Sequence, residues 1–152
     1  MLEELDALED NGLWRLIKRP SSSNRLHTKW AYKTNTVAHN DFERLKARLG
    51  ACKKEQVFGI DYQLTFAAVM DMSMVKVLLA LPATWGIPAK HGDIPNACVK
   101  ADKESNLEIM QQVPQAMEVD KATLNKLGAS SHKELALNLR KSLCGLKQAG
   151  RH

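Results

Sequence analysis

The sequence predicts one domain of the α+β class. Its 152 residues are 44% hydrophobic and 26% charged, which is ordinary for a globular domain large enough to bury a core. Stretches of helical periodicity and stretches that alternate apolar with polar residues follow one another in mixed order, which is typical of this class. The chain contains no internal repeat and no low-complexity tract.

In the first half of the chain the pattern predicts one helix and several strands. Three leucines at helical spacing predict a short amphipathic helix over residues 2–11. Short strands are predicted over residues 14–18, 28–34 and 42–49. A loop rich in serine and proline separates the first two of these strands.

The second and third strands are predicted to pair as a basic hairpin. Residues 37–41 read as the turn between them. Alternation along the second strand places Trp30 and Tyr32 on one face and Lys29 and Lys33 on the other.

In the second half, two strands are predicted between one helix and a pair of helices. Residues 67–85 form a helical pattern that Pro82 interrupts, at a cost of about 3 kcal/mol for an interior proline. A loop over residues 59–63 precedes this helix, and a Gly-Ala-Ser-Ser turn separates the last two helices. The remaining elements are strands over residues 87–94 and 107–113, and helices over residues 121–127 and 132–143.

The net charge of +5 is unevenly distributed. Residues 1–10 carry five acids and no base, whereas residues 11–54 carry eleven bases and two acids. Residues 140–152 add four bases and no acid. A clustered basic face attracts polyanions such as nucleic acid, and the alternative is a solvated basic surface without a partner.

Cysteine content and hydropathy predict an intracellular protein, in the cytoplasm or the nucleus. The three cysteines are far apart and show neither metal-ligand spacing nor a disulfide framework. The acidic N-terminus does not resemble a signal peptide. The apolar stretch over residues 69–81 contains Asp71 and Lys76 and is too short to span a bilayer, so no membrane partner is expected.

Four segments of the chain match the sequence pattern of one protein family. The segments are LDALEDNGLWRLIKRP, TKWAYKTN with ERLKARLGACKKEQVFGIDYQLTFAAV, HGDIPNACVKADKESNLEIMQQVP, and LRKSLCGLKQAGR. The most specific sequences in them are Lys-Ala-Arg-Leu, in the second segment, and Gly-Leu-Lys-Gln, in the fourth. In this order, and over nearly the whole chain, they resemble the reverse transcriptase domain of copia-type LTR retrotransposons.

This resemblance implies part of the right-hand polymerase fold and an RNA-directed DNA polymerase, a nucleotidyltransferase. Residues 1–152 would form a single partial domain, with a fingers-like region over about residues 1–85. The start of the palm and the Gly-Leu-Lys-Gln segment would occupy about residues 86–152. A partial palm leaves apolar strand edges uncovered, through which the chain is expected to self-associate.

Asp93 matches the first catalytic, metal-binding carboxylate of the family. Nucleotide addition uses two metal ions, which need two or three converging carboxylates, and Mg²⁺ prefers carboxylate and phosphate oxygens. The family's other two carboxylates belong to a Tyr-x-Asp-Asp sequence that these 152 residues do not contain. Catalytic inactivity of this chain alone, with no tight Mg²⁺ binding, is therefore expected.

The resemblance also implies contacts to nucleotide and nucleic acid. Arg48 corresponds to a fingers residue near the nucleotide triphosphate, where a guanidinium forks onto phosphate oxygens. Lys46 is a weaker candidate for the same role, and Arg44 belongs to the same basic strand. Gln148 corresponds to a family glutamine near the nucleotide sugar and the template. RNA and RNA–DNA hybrid are the expected partners, bound weakly.

Departures from the family's pattern leave two other interpretations open. Cys98 and Cys144 stand where the family has aromatic side chains. Such changes are compatible with a small nucleic-acid-binding module that has lost catalysis. They are also compatible with a translated relic that has no function, an interpretation that Pro82 within the helical pattern favours.

Overall fold

A computed structural model describes most of the chain, with gaps at a few segments. Backbone is described for residues 1–21, 23–36, 42–90, 92, 97–100, 103–104 and 106–150, and the side chains of residues 35–36, 42–44 and 98 are excepted. The described elements are α1 (Leu2–Asp10), β1 (Trp14–Lys18), β2 (Thr28–Thr36), β3 (Phe42–Ala51), α2 (Met72–Trp85), α3 (Ala97–Lys100), β4 (Met110–Gln111), α4 (Lys121–Lys126) and β5 (Leu135–Leu139). This mixture confirms the α+β class.

Strands from the two ends of the chain meet in one antiparallel sheet. Within the described residues its order is β1-β5-β4, so that β5 is central. β1 pairs with β5 along its whole length, from Trp14 opposite Leu139 to Lys18 opposite Leu135. Four of the five β5 side chains are buried, as expected of a central strand. The sheet brings the segment after β5 against the end of β3, where the Ala51 amide donates to the Cys144 carbonyl at 3.1 Å.

The predicted hairpin is confirmed. β2 and β3 pair antiparallel from Thr28 opposite Ala51 to Thr36 opposite Phe42, with a register shift at residues 35–36. Trp30 lies opposite Leu49 on one face. The predicted turn over residues 37–41 lies outside the described residues.

The core is built from leucines of several elements. The first helix is confirmed, and it packs against β3 and buries Leu5 and Leu8. Burying each such side chain contributes roughly 1.5–3 kcal/mol. The most deeply buried core leucines and isoleucine are Leu13, Leu26, Leu49, Leu107, Ile109, Leu135, Leu137, Leu139 and Leu143.

The predicted helix over residues 132–143 is wrong. The segment begins with a single 3₁₀ turn, His132–Glu134, and continues as β5. Its leucines recur at every second position, which is the period of a strand, but Ala136 between them is buried too. A run that is apolar on both faces does not distinguish strand from helix by period. Pairing to β1 on one side and β4 on the other selects the strand.

Two of the predicted strands are shorter or missing where the structure describes them. Of residues 107–113, Met110 and Gln111 form β4, and Leu26 extends it by a parallel bridge to Gln111. Residues 87–90 and 92 are not strand, and the rest of the predicted strand over residues 87–94 lies outside the described part of the chain. The short helix α3 was not predicted.

The α2 helix begins later than predicted, and most of its side chains are exposed. Asp71 caps it by accepting a hydrogen bond from the Ser73 amide at 2.8 Å. Hydrogen bonds from Ser73 lower the pKa of the Asp71 carboxyl, the side-chain hydroxyl being the larger cause. Pro82 lies in the last turn, and Gly86 ends the helix with φ +64°. None of the described α2 side chains is buried. In the described part of the chain, no helix combines the length and apolar character needed to cross a membrane.

Candidate nucleic-acid interface

One face of the β2–β3 hairpin is basic. Residues opposite each other in an antiparallel pair project from the same face, and positions two apart along a strand do so as well. Lys33 lies opposite Lys46, and Arg48 is two positions further along β3. Lys29 lies on the same face of β2, four positions before Lys33. These four cations are referred to below as the hairpin face.

No carboxylate neutralises the hairpin face within the described residues. The ion pair that the described residues form joins His27 to Glu55, at 2.9 Å, and both of these residues lie outside β2 and β3. Lys33 and Lys46 are like charges directly across a strand pair, an arrangement that destabilises a sheet. Arg48 is exposed and Lys46 half-buried. A bound polyanion would remove the repulsion between these cations.

An open groove lies on the hairpin face. Its volume is about 380 Å³, and its lining includes Lys33, Lys46 and Arg48 together with Ala31 and Tyr32. The spacing of residues two apart on a strand, about 6.6 Å, separates the Lys46 and Arg48 backbones. The two cations can therefore contact different phosphate groups of one ligand.

The opposite face of the hairpin holds its base on the body of the protein. Trp30 packs against the core beside buried Leu49, which is 1% exposed. Tyr32 is 66% exposed, and its hydroxyl donates to the Met1 sulfur at 3.3 Å. The prediction that Trp30 and Tyr32 lie opposite the lysines is confirmed by the register.

The Gly-Leu-Lys-Gln segment is joined to the loop after β3 by buried amides. The Gln56 amide donates to Gln148 Oε1 at 3.0 Å, and the Gln148 amide donates to the Asp61 carbonyl at 3.0 Å. Gln56 Oε1 in turn accepts from the Lys147 backbone amide at 2.7 Å. Gln56 and Gln148 are 5% and 3% exposed, so both side chains are held inside the protein.

Lys147 is held over an aromatic ring. Its Nζ lies 4.3 Å from the centroid of the Tyr62 ring and donates to the Tyr62 hydroxyl at 3.1 Å. It also donates to the Gln56 carbonyl at 3.4 Å. A cation over an aromatic face gains about 0.5–1 kcal/mol at exposed sites and more when desolvated. The lysine therefore fastens the segment to the loop and does not project freely.

Asp61 anchors the same loop from within. It is 1% exposed, and its Oδ2 accepts from the Val57 amide at 2.8 Å and from Asn24 Nδ2 at 3.1 Å. The second oxygen, Oδ1, has no partner in the described part of the chain. The aspartate thus ties the start of the loop to the segment that precedes β2.

The structure brings some of the predicted site residues together and separates others. Lys46 and Arg48 share the groove. Gln148 is buried in the amide network, so its predicted contact with a nucleotide stays a prediction and requires those hydrogen bonds to open. Asp93 lies outside the described residues, and so does the side chain of Arg44.

The sequence alone assigned no role to three residues that organise this region. Gln56, Asp61 and Tyr62 belong to the Gln-x-x-Gly-x-Asp-Tyr sequence, which was significant only as part of the resemblance to the family. The sequence offers one indication of their importance, which is that two polar residues and a tyrosine lie in a stretch without regular periodicity. It does not reveal that their partners lie about ninety positions later, at Lys147 and Gln148.

Comparison with known proteins identifies the family. A family profile described as reverse transcriptase (RNA-dependent DNA polymerase) matches residues 11–152. The chain is 32% identical over 151 residues to the retrovirus-related Pol polyprotein from transposon TNT 1-94 of Nicotiana tabacum, covering 99% of the chain and 10% of that protein. It is 27% identical over 152 residues to the Pol polyprotein from transposon RE1 of Arabidopsis thaliana, again covering 99% of the chain and 10% of that protein.

A shorter relative matches about half of the protein. An uncharacterized mitochondrial protein of Arabidopsis thaliana is 38% identical over 79 residues, which is 52% of the chain and 46% of that relative. No solved structure matches the chain. The chain spans about a tenth of the length of the Pol polyproteins. It belongs to the copia-type family of retrotransposon reverse transcriptases.

Proposed function

We propose that the chain binds the phosphate backbone of nucleic acid through the hairpin face, as the fingers-like part of a reverse transcriptase. The single observation that carries this proposal is the set of four cations on one face of β2 and β3, for which the described residues supply no carboxylate partner. Clustered positive charges repel one another and are stabilised by an anion that lies among them. The family supplies the anion, because its template and its substrate are both polyphosphates.

The cations of the hairpin face differ in how they bind phosphate. Arg48 presents a planar fork of donors that fits two oxygens of one phosphate. Lys46 and Lys33 act as point charges and attract phosphate without fixing an orientation. Arg44 is assigned to the same role on its position in the sequence. RNA and RNA–DNA hybrid are the expected ligands, with an affinity that is weak and independent of sequence.

The division into fingers and palm is part of the proposal. Residues 1–85 would form the fingers-like region, and residues 86–152 the start of the palm with the Gly-Leu-Lys-Gln segment. The amide network supports a firm connection between the two, because Gln56 and Gln148 belong to different regions and share a hydrogen bond. The polymerase activity would belong to the larger polyprotein, which acts where its template is found, in the cytoplasm or the nucleus.

Divalent metal ions serve the chemistry of this family, and Mg²⁺ is the ion we expect, on its preference for carboxylate and phosphate oxygens. Among the described residues, no group of three or more histidines, cysteines or carboxylates could hold such an ion. Those residues therefore do not fit a metal centre. The function proposed for them is binding alone.

We also propose that the isolated chain self-associates, through an apolar surface of the fingers-like region and not through the palm strand edges expected from the sequence. Fourteen large hydrophobic side chains between Val57 and Ile87 are more than two-fifths exposed. They include Phe66 at 80% and Val69 at 88%. The α2 helix that carries part of this surface has one charged residue, Lys76. Helices without a polar face are buried in folded assemblies, so a second copy or another part of the polyprotein would cover this one.

A salt series tests the binding proposal. A fluorescently labelled RNA–DNA hybrid of 20 base pairs is titrated with the chain at several salt concentrations, and binding is followed by anisotropy. We expect a dissociation constant of roughly micromolar or weaker at physiological salt, and a linear fall of log affinity with log salt. Changing Lys33 and Lys46 to Gln together should flatten that slope by about 1.8, or about 0.9 for each phosphate that is no longer neutralised.

The control carries the same charge change away from the hairpin. Lys76 and Lys90 are exposed, and changing both to Gln should leave the slope unchanged. If the parent chain does not bind the hybrid even at low salt, the hairpin face is a solvated surface and the proposal fails. Tight binding that does not respond to salt would also contradict it.

A further inference from the structure

A second cluster of cations lies at the C-terminal end of β1. Lys18 ends β1, and its Nζ donates to the Gly128 carbonyl at 2.5 Å. The next residue, Arg19, donates its backbone amide to the Glu134 carbonyl at 2.7 Å. Both residues are thereby fixed against the turn that precedes β5.

Two further cations come to the same turn from elsewhere in the sequence. Arg25 donates from Nη1 to the Lys133 carbonyl at 3.4 Å. Lys133 belongs to the turn itself and is exposed. Lys18, Arg19, Arg25 and Lys133 are referred to below as the turn patch.

The members of the turn patch are close enough to affect one another. Partial burial, and after it the charge of Arg19, lowers the pKa of the Arg25 guanidinium from its ordinary value. No ion pair relieves the cluster within the described residues. The carboxylate of the same turn, Glu134, accepts a hydrogen bond from the Ser130 amide at 2.9 Å. Like charges that the fold gathers from three segments and leaves without an ion pair are suited to a polyanion.

The turn patch is near enough to the hairpin face for one ligand to reach both. Arg25 precedes Lys29 by four residues, so their Cα atoms are at most about 14 Å apart. Lys33 follows after four more residues, which limits the whole span to roughly 28 Å. A duplex rises about 3.4 Å per base pair, so about eight base pairs cover that distance.

We infer that the turn patch is a second phosphate-binding site, which holds the backbone of the same nucleic acid a few nucleotides from the hairpin face. This inference rests on the proposed function and extends it from one contact region to two. It also explains why the basic residues of the N-terminal third exceed those that the hairpin alone uses. Three of its four members lie between residues 18 and 25, outside the hairpin.

A charge-removing variant that spares the fold tests the inference. Arg19 and Lys133 engage the protein through their backbones, and neither side chain makes a hydrogen bond among the described residues. Arg19→Gln with Lys133→Gln should therefore fold normally. In the salt series on the 20-base-pair hybrid it should flatten the slope by about 1.8, as much as Lys33→Gln with Lys46→Gln.

The length of the ligand gives an independent readout. A hybrid much shorter than eight base pairs cannot cover all the cations of both surfaces at once, and on it the turn-patch variant should differ less from the parent. The control variant, Lys76→Gln with Lys90→Gln, should match the parent at both lengths.

The outcomes separate the two proposals. If the turn-patch variant keeps the parental slope of log affinity against log salt while the hairpin variant flattens it, the second site does not exist and the hairpin proposal stands. If the turn-patch variant flattens the slope and the hairpin variant does not, the proposed function is wrong and the turn patch is the binding surface. If the parent chain does not bind at low salt, both proposals fail.

Discussion

Gln56 and Gln148 share a buried hydrogen bond of 3.0 Å although 92 positions of sequence separate them. The bond joins two sequence motifs that are each conspicuous and that nothing in the sequence connects. Gln56 also accepts from the Lys147 amide, so one side chain satisfies two groups of the Gly-Leu-Lys-Gln segment. The segment is therefore fixed by the loop after β3 before any ligand is present.

Replacing Gln56 with Leu should destabilise the chain by about 1–3 kcal/mol. The change leaves the Lys147 amide and Gln148 Oε1 without these partners inside the protein, and an unsatisfied buried group costs that much. Gln63→Leu is the matched control, because Gln63 is an exposed residue of the same region. The free energy of unfolding from urea titration measures both. Equal stability of the two variants would show that the network does not hold the segment.

Gly145→Ala should destabilise the chain more than Gly59→Ala does. Both glycines have positive φ, +91° and +82°, so alanine is strained at either position. At Gly145 an added Cβ would lie 2.7 Å from the Ala51 carbonyl oxygen, whereas at Gly59 nothing lies within 4 Å. The overlap should add about 1–3 kcal/mol.

Urea unfolding of the two alanine variants checks this difference. A backbone oxygen cannot move aside as the end of a flexible side chain can, and so the clash has to displace either β3 or the Gly-Leu-Lys-Gln segment. If both variants lose the same stability, the close approach of Gly145 to β3 contributes nothing beyond the strain of its backbone.

Local patterns predicted the elements near the N-terminus well. The spacing of leucines in α1 and the alternation in β2 each describe an element that is apolar on one side. β1 agrees with its predicted bounds. In these segments the period of the sequence and the burial in the structure carry the same information.

The predictions of secondary structure are wrong where the pairing of distant segments decides between helix and strand. β5 is apolar on both faces because it is the central strand of its sheet, and such a run does not differ in period from a buried helix. The candidate site shows the same limit. The basic hairpin was predictable from Lys33, Lys46 and Arg48, because neighbours along two paired strands are close in sequence. The turn patch and the Gln56–Gln148 bond were not, because they join segments about ninety or more positions apart.

Self-association should depend on the apolar surface of α2. At tens of micromolar the chain should sediment as a species larger than a monomer, because the hydrophobic surface is exposed in the single chain. Leu79→Glu places a charge on that surface, at a side chain that is 62% exposed, and should shift the distribution toward monomer. Thr65→Glu adds the same charge at an exposed residue before the helix and serves as the control.

Sedimentation velocity over a range of concentrations distinguishes the outcomes. A parent chain that remains a monodisperse monomer and melts cooperatively above about 60 °C, beyond the usual range of mesophile domains, would contradict the prediction. Equal shifts from both glutamate variants would show that net charge controls the association and that α2 is not the contact.

The 152-residue chain alone should not extend a primer on an RNA template. In-line nucleotide addition with two metal ions requires two or three carboxylates that converge within a few ångströms. Asp93 is the one residue of this sequence that matches such a carboxylate, and the described residues add no cluster able to hold an ion. A single aspartate cannot bridge two cations that each require near-octahedral oxygen ligands. The chain would therefore bind the template through the hairpin face without adding nucleotides to the primer.

A labelled primer annealed to RNA, incubated with the chain and either Mg²⁺ or Mn²⁺, measures incorporation directly. Asp93→Asn is the control for a contaminating polymerase, because it removes the one carboxylate that matches the family's metal ligands. Incorporation that exceeds background in the parent and disappears in Asp93→Asn would show that the chain completes a catalytic centre with other residues of its own. Incorporation that persists in the variant would come from a contaminant, since the reaction would then not depend on the aspartate, and the prediction would stand.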